Sequence, residues 1–151
     1  MSDNLNALAI AANDDSALAF SSMKAETTQE KAELFNAISN PNHKLGDVIN
    51  KTIFVKDIYC EIIEMQKSDR DGNLMFDENG EPVMDKVPRI VLIDKDGDTY
   101  QAISVSVMNN IQRLFKMFGA PTWNPPLPIE VQQRSVGTNR IYVFNVRADL
   151  L

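Results

Sequence analysis

The period of apolar and polar positions changes twice between Val87 and Trp123, and the rest of the chain is organised around that stretch. Residues 87–94 (VPRIVLID) are dense in β-branched and apolar types, with Pro88 near a strand start, where a missing N–H is tolerated. Lys95-Asp96-Gly97 reads as a hairpin connection, because Asp-Gly tolerates positive φ. A second strand follows in DTYQAISV. Val107, Ile111, Leu114 and Phe118 then fall at helical spacing, widened by Met108 and Phe115, with Ser106 as the expected N-cap. Gly119 and Pro121 end the helix.

Upstream, Thr52 to Met65 reads as one long strand whose apolar phase slips midway. Ile53 and Val55 share one parity, whereas Ile58, Cys60 and Ile62 share the other. A bulge near Lys56-Asp57 restores a single buried face and leaves Phe54, Lys56, Tyr59 and Glu61 outward. Downstream, Leu127 to Val136 and Arg140 to Arg147 are two further strands joined by a turn through Gly137. Strand, hairpin, helix and two more strands is the order of a small five-stranded barrel with its helix between strands three and four. The expected class is mainly β.

Three segments lie outside that barrel. Thr27-x-x-Glu30 is a capping-box pattern opening a helix with Leu34, Phe35 and Ile38 on one face, stopped at Asn40-Pro41. Residues 1–24, with Leu5, Leu8, Ile10, Leu18 and Phe20, keep no period for long and read as a flexible arm. The alternatives for that arm are a mobile tail or a segment docking on a neighbouring subunit. The domain proper is then 25–151. Residues 67–86 form a long polar excursion, expected as an extra hairpin about Asn79-Gly80. Asn42 to Gly46 reads as a linker, and no internal repeat is evident.

The chain has 151 residues, a net charge of −6, one cysteine and one histidine. No apolar run approaches the roughly 20 residues that span a bilayer, and a single cysteine cannot form an internal disulfide, so a cytoplasmic protein is expected. Acidity argues against a protein that coats duplex DNA by bulk positive charge. The excess lies in the N-terminal third, which leaves room for a local basic groove on the barrel. Catalysis has little support: no nucleophile pattern surrounds Cys60 or His43. Asp94 to Asp98 and Asp69 to Gly72 miss the spacing of a calcium loop and read as turns, so no metal or cofactor is expected.

Single-stranded nucleic acid is the partner such a barrel suits, because it needs cations for phosphates and aromatic faces for bases. On or near the usual barrel surface fall Lys56, Tyr59, Lys67, Arg70, Phe76, Arg89, Tyr100, Arg134 and Arg140. Tyr100 reads either as a stacking platform or as a core residue. Trp123 reads as packing under the helix end or stacking on a base, and Arg134 and Arg140 as contacts or solvated charges.

VPRIVLIDKDGDTYQAIS, the helix ending LFKMFGAPTW, VQQRSVGTNRIYVFNV and ETTQEKAELFNAISNP together resemble a family of small single-stranded-DNA-binding proteins encoded by phages and conjugative plasmids of Gram-positive bacteria. The resemblance covers roughly residues 25–147. It implies an oligonucleotide/oligosaccharide-binding (OB) fold and non-catalytic, sequence-tolerant coating of single strands in replication or conjugative transfer. It adds Gln101 beside Tyr100 and Arg89 as binding-face candidates, and homo-oligomers through the arm are expected. The alternatives are a protein-binding structural barrel, an acidic DNA mimic and, more distantly, an enzyme.

Overall fold

A computed structural model describes residues 19–151. Its elements are β1 (Ala19–Ser21), α1 (Thr28–Ser39), β2 (His43–Lys44), β3 (Thr52–Gln66), β4 (Met84–Asp94), β5 (Thr99–Ile103), α2 (Val105–Phe118), β6 (Leu127–Val136) and β7 (Asn139–Val146). The sheet is mixed, with seven strands where five were expected. Its path is β2-β5-β4-β3-β6-β7, with β1 added on β3. The two extra strands are short. His43–Lys44, expected as linker, pairs in parallel with Tyr100–Gln101. Ala19–Ser21, expected within the arm, pairs with Tyr59–Glu61. Leu5, Leu8, Ile10 and Leu18 of that arm lie outside the described residues.

β3 curls the sheet. Its first residues, Thr52 to Val55, pair with β6, and the remainder pairs with β4. The register shifts between Val55 and Asp57, where the change of apolar parity predicts a bulge. The bulge puts Ile53 and Val55 on the same face as Ile58 and Cys60, so all four enter one core. Asp57 at the bend is buried, and its Oδ1 accepts hydrogen bonds from the Ser22 hydroxyl (2.9 Å) and from Thr122. The bend is thereby tied to both the N-terminal strand and the loop after α2.

The concave side of the sheet is filled by α2. Val107, Ile111, Leu114 and Phe115 pack against Ile58, Ile90, Leu92 and Ile129. The N-cap is Ser104, not Ser106: the Ser104 hydroxyl accepts from the Val107 N–H at 3.2 Å, and the helix begins two residues earlier than expected. Ser106 is used elsewhere, as described below. Gly119 closes the helix at φ 77, a conformation costly for any residue with a Cβ. Trp123 packs edge-on to Phe115 (6.1 Å), and its indole N–H donates to the Gly119 carbonyl (3.1 Å). It is therefore a plug under the helix end rather than a base platform.

The polar excursion extends the β3–β4 ribbon into a small tip. Met75 sits between the two strands, donating its N–H to Lys67 and accepting from that of Val83. The two tip turns and the β4–β5 turn share one loop geometry. In Asp69–Asn73, Asp77–Glu81 and Asp94–Asp98, the first aspartate Oδ1 accepts from the N–H groups two and four residues on. Each loop has its glycine at positive φ. The same five-residue turn thus occurs three times.

Candidate nucleic-acid interface

On the convex side of the sheet, α1 covers β3 and β4. Ala37, Leu34 and Ile38 pack on Tyr59, Val91 and Ile93. Three of the expected binding residues meet there. Arg89 donates from Nε to the Gln101 Oε1 (2.7 Å), from Nη1 to the Glu61 Oε1 (3.2 Å), and from Nη2 to the Ile38 carbonyl at the end of α1. The Tyr59 hydroxyl donates to the Glu61 Oε2 at 2.6 Å. Burial, reinforced by that bond and the Glu61 charge, pushes the Tyr59 phenol well above its ordinary value. Tyr59 does lie on the side of the sheet that the bulge predicts, but it is 7% exposed and Arg89 9%. Their chemistry is spent on holding the chain's own helix, with a cation at the negative end of the helix dipole.

Tyr100 goes to the opposite side, into the core, at 8% exposure. Its hydroxyl donates to the Asp94 Oδ2 (3.1 Å), and the His43 ring stacks on it with centroids 5.0 Å apart. Burial first, and the Asp94 charge second, push its phenol up to about 12. Lys56 is half-buried, with Nζ 4.0 Å from the Asp57 carboxylate. Phe76 stands exposed at the ribbon tip. Arg134 pairs with Ile141 and Arg140 with Ser135, so the two arginines point to opposite faces of the β6–β7 hairpin. The eight expected residues therefore do not converge on one surface.

A groove of about 420 Å³ opens instead between β5 and β7, lined by Lys44, Gly46, Asp47, Gln101, Ile103 and Tyr142. It exists because no pairing among the described residues joins these two strands. Side chains of α2 take the place of a neighbouring strand on β7. Asn110 donates from Nδ2 to the Tyr142 carbonyl (3.1 Å) and accepts from the Phe144 N–H (3.4 Å), while Ser106 accepts from the Tyr142 N–H (3.0 Å). With its backbone so held, Tyr142 projects across the groove, its hydroxyl 3.3 Å from where a Cβ on Gly46 would sit. Arg140, two residues along β7, lies on the same face and is exposed.

An aromatic ring and the Lys44 ammonium along an open trough, with Arg140 on the same face of β7, match what a single strand presents: bases to stack and phosphates to neutralise. Lys44 and Tyr142 were not singled out from the sequence. The available signal was the alternation of Tyr142, Phe144 and Val146 against Ile141 and Val143, which marks Tyr142 as the outermost inward position of its strand.

Other chemistries find little to use. Among the described residues no group of three His, Cys, Asp or Glu side chains could hold a metal ion. Cys60 is buried, and burial alone pushes its thiol up to about 12. No helix among the described residues is long and apolar enough to cross a membrane.

No curated protein and no solved structure matches the chain. A family described as phage single-stranded DNA-binding protein, of the Phi29 type, matches residues 13–144. That match spans most of the described fold, including α1, the curled sheet and the trough between β5 and β7. The chain belongs to the family of phage single-stranded DNA-binding proteins.

Proposed function

We propose that this protein binds and coats single-stranded DNA without catalysis and with little sequence preference during phage replication, as an OB-type barrel with residues 25–151 as its domain. The strand lies in the trough between β5 and β7. Tyr142 stacks a base, and Lys44 and Arg140 neutralise phosphates. The observation that carries this reading is the trough itself, which joins an aromatic face and a lysine at a side of the sheet that no strand among the described residues closes. The residues that precede β1 act in this reading as an arm towards a neighbouring protomer. Their apolar content, with Leu5, Leu8, Ile10 and Leu18, supports that role.

The test is fluorescence anisotropy with labelled single-stranded and duplex oligonucleotides, comparing wild type with Tyr142→Ala. Single-strand preference that weakens severalfold with the substitution supports the trough. Equal affinity for single strand and duplex would mean that only the backbone is read. Binding to neither would end the proposal.

A further inference from the structure

The two ribbons of the molecule carry opposite charge and matching apolar surface, and they lie on different parts of the fold. The β3–β4 tip, residues 67–86, bears Asp69, Asp71, Asp77, Glu78, Glu81 and Asp85 against Lys67, Arg70 and Lys86. The bridges Ser68–Leu74 and Phe76–Pro82, with the Gln66–Met84 pair, put Leu74, Phe76, Pro82 and Met84 on one face. Leu74, Phe76 and Met84 are 56%, 58% and 52% exposed. The aspartate loops hold this strip in place before any partner arrives. An apolar strip in an acidic rim repels phosphates, so the tip suits a basic protein surface rather than DNA.

That surface is present on the same chain. Residues 131–146 of the β6–β7 hairpin contain Arg134 and Arg140 and no carboxylate, whereas Glu130 near its base accepts from Gln132 and Arg147 beyond it pairs with Asp149. Its two faces divide the work. Arg140 and Tyr142 face the trough, whereas Arg134, Val136 and Ile141 share the outer face. Val136 is 54% exposed there.

We infer that the acidic, apolar β3–β4 tip of one copy docks on the outer face of the β6–β7 hairpin of the next copy, where Arg134 supplies the cation and Val136 and Ile141 the apolar contact. The contact uses two different patches, so it is head-to-tail and does not close on itself. It lines protomers along a strand whose bases occupy the inner face of the same hairpin. The inference rests on the single-strand-binding reading above and adds to it the surface through which neighbouring copies meet.

The experiment uses full-length protein on a short oligo(dT) holding one protomer and on long poly(dT), with affinity per protomer read on each. The variants are Glu78→Arg with Glu81→Arg, Arg134→Glu, and all three together. The short oligonucleotide reports DNA binding alone. Wild type is expected to bind the long strand about tenfold more tightly per protomer, a modest gain for a linked second contact. Either charge reversal should remove that gain while leaving short-strand affinity within about twofold, and the triple variant should restore it; a length gain of tenfold corresponds to about 1.4 kcal/mol. A gain that survives both reversals, or that the triple variant fails to restore, would overturn the inference. So would a loss of short-strand affinity in Arg134→Glu, which would make Arg134 a DNA contact. Wild type that binds the short strand without any length gain would refute this contact and spare the DNA-binding reading, whereas no binding to either strand would end both.

Discussion

Asn110 in α2 treats the Tyr142 carbonyl of β7 as a neighbouring strand would, donating to it at 3.1 Å and accepting from Phe144 on the other side. Its Nδ2 also donates to the Ser106 carbonyl at 2.8 Å. One carboxamide thus serves a strand edge and a helix at once, and it orients the residue that projects into the trough.

Replacing Asn110 with Ala should therefore cost stability and affinity together. The lost bonds leave partly buried backbone groups without partners, for about 2 kcal/mol. Urea unfolding should show the loss, and Asn110→Ala should bind single strands more weakly even where it remains fully folded. Unchanged affinity in the folded variant would separate Tyr142 from the binding surface.

The cations of the trough should be visible in salt dependence. Each phosphate neutralised on a single strand contributes about 0.7 to the slope of log affinity against log salt. Lys44→Ala and Arg140→Ala should each lower the slope by about that amount, and the double variant by about twice it. Lys95→Ala serves as the control, because Lys95 lies 5.1 Å over the Phe54 ring and outside the trough. An equal drop in slope for the control would show that only net charge matters.

Arg89 gives the opposite expectation. Its guanidinium is 11% exposed and joins Glu61, Gln101 and the end of α1. Arg89→Ala should destabilise the fold by about 3 kcal/mol, since it strands a partly buried carboxylate and a helix-end carbonyl. Folded Arg89→Ala should keep its affinity for short single strands. A selective loss of binding without loss of stability would move the interface to the face that α1 covers.

Tyr100 makes the fold sensitive to alkali. Its phenol ionises near pH 10 in the unfolded chain and only at about 12 in the folded protein. The unfolded state therefore loses its proton first, and stability present below pH 10 declines as pH rises towards 12. Tyr100→Phe should flatten that decline in urea midpoints measured from pH 8 to 12. Tyr59, shifted in the same direction, contributes to what remains.

Much of the framework is legible from local pattern. The bulge follows from the parity change between Val55 and Ile58, and the α1 capping box from Thr27 and Glu30. The stop at Gly119 follows from its backbone freedom. The candidate site was less legible, because outward on a strand is not the same as open to solvent. Tyr59 and Arg89 point away from the barrel core yet lie beneath a helix that arrives from elsewhere in the chain. Arg134 and Arg140 flank one turn in sequence, but the hairpin register sends them to opposite faces.

The sequence by itself determined the order of the long strands and helices, the place of the bend and most aliphatic residues of the core, because these follow from periodicity, turn chemistry and caps acting over a few residues. Only the tertiary structure decided which polar side chains remain available. That depended on α1 settling on the convex face, on His43–Lys44 adding to β5, and on Asn110 and Ser106 taking up the edge of β7. Each is a contact between segments far apart in the chain, set by complementary surfaces and unsatisfied backbone groups that no local pattern of residues encodes.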